Sequence, residues 1–346
     1  GNKVMKKGLM VYPINKHKIF NIGDYIQSLA AKQFYDRIDV FVDREHLNEY
    51  HGEKLALIAN GWYMHNPQNW PPSNDIDPLF VALHINKLAE ENLLSEDSIK
   101  YLKQFEPIGC RDYYTVRNLK NKGVDAYFSG CMTLTLGNTY KRTEKEPGLI
   151  YFTDVNFSDG KSVKIILQCM INLLFKLPKI LAIRKKKKQS RIESSFKNDV
   201  ATYTMYSKIF TDDVLLKATY VQHEIRNRFN GDNEKFQYAE ELLKAYAGAQ
   251  YVVTSRIHCA LPCLAMGVPV LFIYNNNRNE VHNCRLSGLV ELFHLITITG
   301  NGITCDLAGG NKIDVDFLFE NKSDYKKYAD SLSERCRDFV KSKTQG

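Results

Sequence analysis

The stretch YVVTSRIHCALPCLAMGVPVLFIY, residues 251–274, decides the fold. Its opening, YVVTS (251–255), is an apolar run without polar alternation, as a strand buried on both faces requires. Ser255 is a good N-cap, and Ile257 to Met266 reads as a helix that ends at Gly267 with Val268-Pro269 behind it. A second buried strand, VPVLFIY (268–274), follows at once. Strand, helix and strand in this order belong to a parallel sheet covered by helices.

The alternation extends in both directions. Upstream, GLMVYP (8–13), KLALIANGWYM (54–64), LFVALHIN (79–86), PIGCRD (107–112) and DAYFSGCMTLTL (125–136) read as strands or strand ends. Asp24 to Tyr35 and Tyr113 to Lys122 read as helices, the second stopped by Gly123. GNTYKRTEKEPG (137–148) is polar and closes on Pro-Gly, which makes it a linker. Beyond it, GLIYFTDV (148–155), KIFTDD (208–213) and TYVQHEI (219–225) are strand-like. FQYAEELLKAYAGA (236–249) is a helix with Phe236, Ala239, Leu242, Leu243 and Tyr246 on one face. From Ser323 to Lys343 the apolar stripe Tyr325, Tyr328, Ala329, Leu332, Cys336, Phe339 and Val340 predicts a helix docked back on the body. The expected organisation is an α/β domain over 1–145, a second over 146–322 and the last helix over 323–346.

With 346 residues, 44% hydrophobic, the chain is too long for a small module and too apolar for disorder. The net charge of +8 has one source. Lys176, Lys179, Arg184, Lys185, Lys186, Lys187, Lys188 and Arg191 supply eight positive charges without an acidic residue among them, so the remainder is neutral. A local patch of this kind, without interleaved aromatics, does not predict a nucleic-acid partner. The eight cysteines are scattered and form no C-x-x-C pair, as reduced thiols packed in a cytosolic core would be. Near the start, only GLMVYP is apolar, far short of a signal peptide. The expected location is the cytosol or the inner face of a membrane.

Three stretches carry residues suited to chemistry. Arg256 and His258 fall in the first turn after a strand, where free N–H groups favour an anion, a guanidinium forks onto phosphate or carboxylate, and an imidazole moves a proton near neutral pH. The alternative is an Arg256 paired with an acidic neighbour and a hydrogen-bonded core His258. In NIGDYIQSLA (21–30), Gly23 permits a tight strand-to-helix turn, and Asp24 with Gln27 resembles a capping box. Capping and function are compatible there. In PIGCRDYYTV (107–116), Arg111 sits at a strand end and Asp112 can cap the next helix.

Taken in order, the Asn21-x-Gly23-Asp24-x-x-Gln27 start, the Arg111-Asp112 pair, and Ser255-Arg256-Ile257-His258 with Gly267-Val268-Pro269 resemble the polysaccharide pyruvyl transferase family. The resemblance implies two Rossmann-like domains with parallel sheets, similar to the glycosyltransferase-B fold. It also implies transfer of a pyruvyl group from phosphoenolpyruvate to a sugar of a surface polysaccharide or its lipid-linked precursor, forming a ketal. It makes Arg111 and Arg256 the clamps on the donor's phosphate and carboxylate, adds the Ile257 backbone, and makes His258 the general acid. The Asn21 and Gly23 turn joins the binding site. One acid of pKa near 7 serves such a reaction without a metal or cofactor. As base for the sugar hydroxyl, Asp24 and Glu224 qualify by location only. Two departures from the family pattern stand out. Arg278 occupies the loop where a lysine is often found, either as its substitute or as a solvated residue. ANGWYMHNPQNWPP (59–72) replaces a glycine-rich turn, so that Trp62, Tyr63, His65 and Trp70 form a sugar platform or pack the domain edge.

The competing readings are a nucleotide-sugar glycosyltransferase of the same fold, with Glu280 or Glu291 on the ribose, and a non-catalytic glycan- or membrane-binding relative. The segment IILQCMINLLFKLPKILAIRKKKKQSR (165–191), within a basic insert near 161–197, is unusual for a soluble enzyme. Its longest uncharged apolar stretch, Ile165 to Phe175, is far below the roughly 20 residues of a spanning helix. It either lies on an anionic membrane with Lys185, Lys186, Lys187 and Lys188 on the head groups, or packs as a helix followed by a solvated loop.

Overall fold

The computed structural model describes residues 4–157, 162–300 and 302–344. Its first half contains β1 (Lys6–Val11), β2 (Ile19–Asn21), α1 (Ile22–Lys32), β3 (Val40–Asp43), β4 (Leu55–Tyr63), β5 (Ile76–Ile85), α2 (Glu90–Leu93), α3 (Glu96–Lys103), β6 (Ile108–Cys110), α4 (Tyr113–Asn121) and β7 (Ala126–Phe128). Apart from β2, these strands form a six-stranded parallel sheet in the order β3-β1-β4-β5-β6-β7. The second half runs through β8 (Ile150–Thr153), α5 (Val163–Phe175), α6 (Leu177–Gln189), α7 (Phe196–Tyr206), α8 (Asp212–Lys217), β9 (Thr219–Val221), β10 (Glu224–Arg226) and α9 (Asp232–Ala247). It continues with β11 (Tyr251–Thr254), α10 (Ile257–Met266), β12 (Val270–Asn275), α11 (Glu280–Asn283), β13 (His294–Thr299), β14 (Gly302–Cys305) and α12 (Tyr325–Thr344). The second sheet has the order β14-β13-β12-β11-β8-β9 and is parallel except where β14 joins β13. Two largely parallel sheets under helices are the expected fold class, consistent with two Rossmann-like domains.

The opening stretch shows why its strands had to be apolar throughout. Val252, Val270 and Phe272 face a core shared with the first half, whereas Tyr251, Val253, Leu271 and Ile273 face the core built with α5 to α8. The shared core ties the halves together: Phe236, Leu243 and Tyr246 of α9 and Ile257 and Leu264 of α10 lie in one cluster with Leu29, Leu57 and Leu134. A small antiparallel ribbon adds to this, pairing Asn21 of β2 with Glu224 of β10. The helix α12 returns to the first half, where Leu332 and Cys336 are buried, Asn138 donates to Ser333 at 2.8 Å and Lys343 pairs with Asp77 at 2.6 Å.

Three expected strands differ. In DAYFSGCMTLTL only Ala126–Phe128 is strand; Gly130 at φ 74° turns the chain into a 3-10 helix, Met132–Asn138, whose apolar residues floor the shared core. KIFTDD forms a single bridge between Phe210 and Ile313 before α8, because Asp212 and Asp213 suit a first helical turn. TYVQHEI divides between β9 and β10, and at the break the His223 backbone N–H donates to the Asp154 carboxylate.

The basic insert is also rearranged. A bend of 92° separates α5 from α6, where Pro178 starts a new helix, and no single described helix is long and apolar enough to cross a membrane. Of the four lysines expected either on head groups or in a solvated loop, only Lys185 and Lys188 are exposed. Lys186 donates to the carbonyls of Leu216 and Ala218, while Lys187 and Arg184 both reach the buried Asp199, at 2.8 and 2.6 Å. A carboxylate buried as deeply as Asp199 requires such partners.

Candidate active site

The strand β11 delivers Arg256 and His258 to the boundary between the halves. Ser255 is not the N-cap; its hydroxyl donates to the Asp154 carbonyl at 2.6 Å, and Arg256 takes the cap position instead. Among the described residues no side chain caps α10, so its first-turn N–H groups keep the positive end of the helix open to an anion. Arg256 is paired, as the plainer alternative had it: its Nε donates to Asp154 Oδ2 at 3.0 Å and its Nη2 lies 3.6 Å from Glu224. Asp154 holds the left-handed φ of 51°, which an Asp tolerates, and thereby turns one carboxylate oxygen to both Arg256 and the His223 amide.

His258 stands at the centre. Its Nε2 lies 3.4 Å from Arg111 Nη1 and its Nδ1 3.5 Å from Gln27 Nε2. Arg111 follows the end of β6, its backbone N–H donating to the Leu83 carbonyl, and the residue is 1% exposed. Nη1 also donates to Gln27 Oε1 at 3.4 Å, Nε has no partner, and the guanidinium makes no ion pair among the described residues. Burial, together with Arg111, Arg285, His223 and Arg256, holds the His258 pKa well below its usual value, so the imidazole is neutral. Arg285 belongs to the same field: burial and the charges of Arg111, Arg256 and Arg278 push it down to about 10.

The N-terminal motif meets this group from the first half. Asn21 caps α1 by accepting from the Gly23 N–H at 2.8 Å, which frees Asp24 from the capping role suggested by its sequence. Gly23 is needed for space, since a Cβ there would sit 3.1 Å from that of His258. Gly61, at φ 97°, makes room for Gln27 in the same way, because a Cβ would lie 2.8 Å from Gln27 Oε1. The Asp24 carboxyl, 4.0 Å from Arg44, is pushed up by burial and pulled back by Arg44 and His65. Arg44 stacks 5.0 Å over both Tyr12 and Trp62, and the rings of Trp62 and His65 meet at 4.5 Å.

The structure thus gathers Asn21, Gly23, Asp24, Arg111, Arg256, Ile257 and His258, but not every expected residue. The four-ring platform divides: Trp62 and His65 stay near Asp24, whereas Tyr63 is fully buried and Trp70 packs on Phe80 and Tyr101. Arg278 is exposed in its loop and adds only its charge to the field on Arg285. Glu280 and Glu291 are exposed. Asp112 both caps α4 and hydrogen-bonds the buried His84 at 2.7 Å. Arg285, Asp154 and Arg44 also belong to this group, and no local motif marks them in the sequence. Gln27 lies within the first motif, but its place between Arg111 and His258 is not readable from its capping-box spacing.

A sequence model of the polysaccharide pyruvyl transferase family matches residues 21–277, a span that begins at Asn21 and takes in Gln27, Arg111, Asp154, Arg256 and His258. No curated protein matches the chain.

Proposed function

We propose, given that the chain belongs to the polysaccharide pyruvyl transferase family and is a pyruvyl-transferring enzyme, that its donor is phosphoenolpyruvate and its product a pyruvate ketal on a saccharide. The observation that carries this reading is Arg111: a buried guanidinium set against His258, with no carboxylate paired to it among the described residues. A buried charge without a counter-charge is costly, and an anion entering beside it supplies one. Arg256 and Arg285 add their charge to the field at His258, and α10 begins there without a side-chain cap among the described residues, which suits a ligand with up to three negative charges.

In this scheme His258 protonates the methylene carbon, leaving a cationic centre at the neighbouring carbon. One sugar hydroxyl adds there, the C–O bond to phosphate breaks, and a second hydroxyl closes the ketal. One hydroxyl proton is balanced by the new methyl group, and the other leaves with phosphate. Asp24, with its raised pKa and its place beside Gly23 and Trp62, is the candidate base, and Trp62 with His65 offers a face for the sugar ring. The saccharide is a surface-polysaccharide unit or its lipid-linked precursor.

Calorimetric titration tests the donor, with uridine diphosphate titrated in parallel. Phosphoenolpyruvate should bind the native chain and bind at least ~10-fold more weakly to Arg111→Ala, which loses a charge-assisted contact. His258→Ala should keep most of the binding but lose about 10²-fold or more of the phosphate released with acceptor present. Binding of the nucleotide in place of phosphoenolpyruvate would move the chain to glycosyl transfer. Full activity in both variants would remove the site.

A further inference from the structure

α5 turns its apolar side away from the protein. Val163, Ile166, Leu167, Met170, Ile171 and Leu174 follow at spacings of three and four, with exposures from 46% to 78%. The opposite side docks: Ile165 is 1% exposed, and Asn172 Nδ2 donates to Thr204 Oγ1 at 2.9 Å. Apolar side chains exposed singly are ordinary on a surface, but a contiguous stripe of this kind marks a contact site.

The charge around the stripe is one-sided. No acidic residue occurs between Ser162 and Ile192, and Lys164, Lys185, Lys188 and Arg191 are exposed. On the flank of α5, Lys208 and Lys312 border a groove of about 290 Å³ lined also by Gln168 and Ile171. An apolar stripe with Lys164 beside it and Lys208 and Lys312 along its flank complements a surface that is apolar below and anionic above. A second copy of the same face would instead bring like charges together.

We propose that α5 lies in the plane of an anionic lipid surface, its apolar side at the acyl boundary and the exposed Lys164, Lys185, Lys188 and Arg191 on the head groups. The inference rests on this surface alone and is independent of the donor and its chemistry.

Co-sedimentation of the full chain with lipid vesicles tests it. The chain should bind vesicles of equal parts phosphatidylglycerol and phosphatidylcholine, at least ~10-fold more tightly than phosphatidylcholine alone, and release as salt is raised. The double variant Leu167→Asp with Leu174→Asp should lose this binding by at least ~10-fold while its thermal melt is unchanged, because both positions are exposed. Lys185→Glu with Lys188→Glu should abolish the preference for the anionic vesicles. The proposal fails if the native chain binds neither vesicle or if the aspartate variant binds like the native chain. It also fails if the chain self-associates without lipid through contacts that Leu167→Asp removes.

Discussion

Both ring nitrogens of His258 face nitrogen donors, those of Arg111 and Gln27, so an imidazolium there would lack an acceptor and would meet several positive charges. A general acid must nevertheless hold a proton when its substrate is in place. The proposed donor resolves this: its negative charges reverse the field, the pKa of His258 rises, and a proton enters with the ligand. Because the complex binds the extra proton, affinity should increase as pH falls between the raised pKa of the complex and the depressed pKa of the free site. Calorimetry at pH 7.5 in two buffers of different ionisation enthalpy should show uptake of up to about one proton per donor bound. In His258→Gln the uptake should vanish. A native chain that binds donor without taking up a proton would dismiss His258 as the acid.

α12 is an amphipathic helix whose partner lies some 200 residues earlier in the chain. Its stripe reads cleanly from the sequence, but the surface that receives it, the first-half sheet and the 3-10 helix Met132–Asn138, does not. Leu332 is 2% exposed in that seat, so Leu332→Ala should cost about 2–4 kcal/mol in urea unfolding through lost burial and an unfilled cavity. A cost below about 0.5 kcal/mol would mean that the helix is not docked there. The receiving segment itself shows the reverse. GCMTLTL has the composition of a strand, yet it coils, because Gly130 turns the backbone and a floor between two sheets was available to bury the same side chains.

The halves meet through a continuous core, not through a linker alone. Residues of β11 and β12 alternate between the shared core and the core under α5 to α8, so melting one face of that sheet strips the other. Both tryptophans, Trp62 and Trp70, lie in the first half, so their fluorescence reports that half while far-UV dichroism reports the whole. The two signals should follow one urea transition with a common midpoint. Separate midpoints would show that the halves unfold independently and that the shared core contributes little.

Periodicity and punctuation were enough for the fold class. Apolar runs such as Val252–Val253 and Leu271–Ile273 admit burial on two faces only, and Gly267 with Pro269 fixes where helix gives way to strand. The N-terminal start, the Arg111 pair and the Arg256-x-His258 turn were legible as motifs because each joins a strand end to a helix start. Their meeting was not legible. Gln27, Arg111 and His258 are separated by 84 and 147 positions, and only the packing of α1 and β6 against α10 brings them within 3.5 Å. Charge pairing was equally hidden. Asp154 on Arg256 and Asp199 on Lys187 turned apparent free cations into held ones, because attraction acts across space while a sequence records only neighbours along the chain.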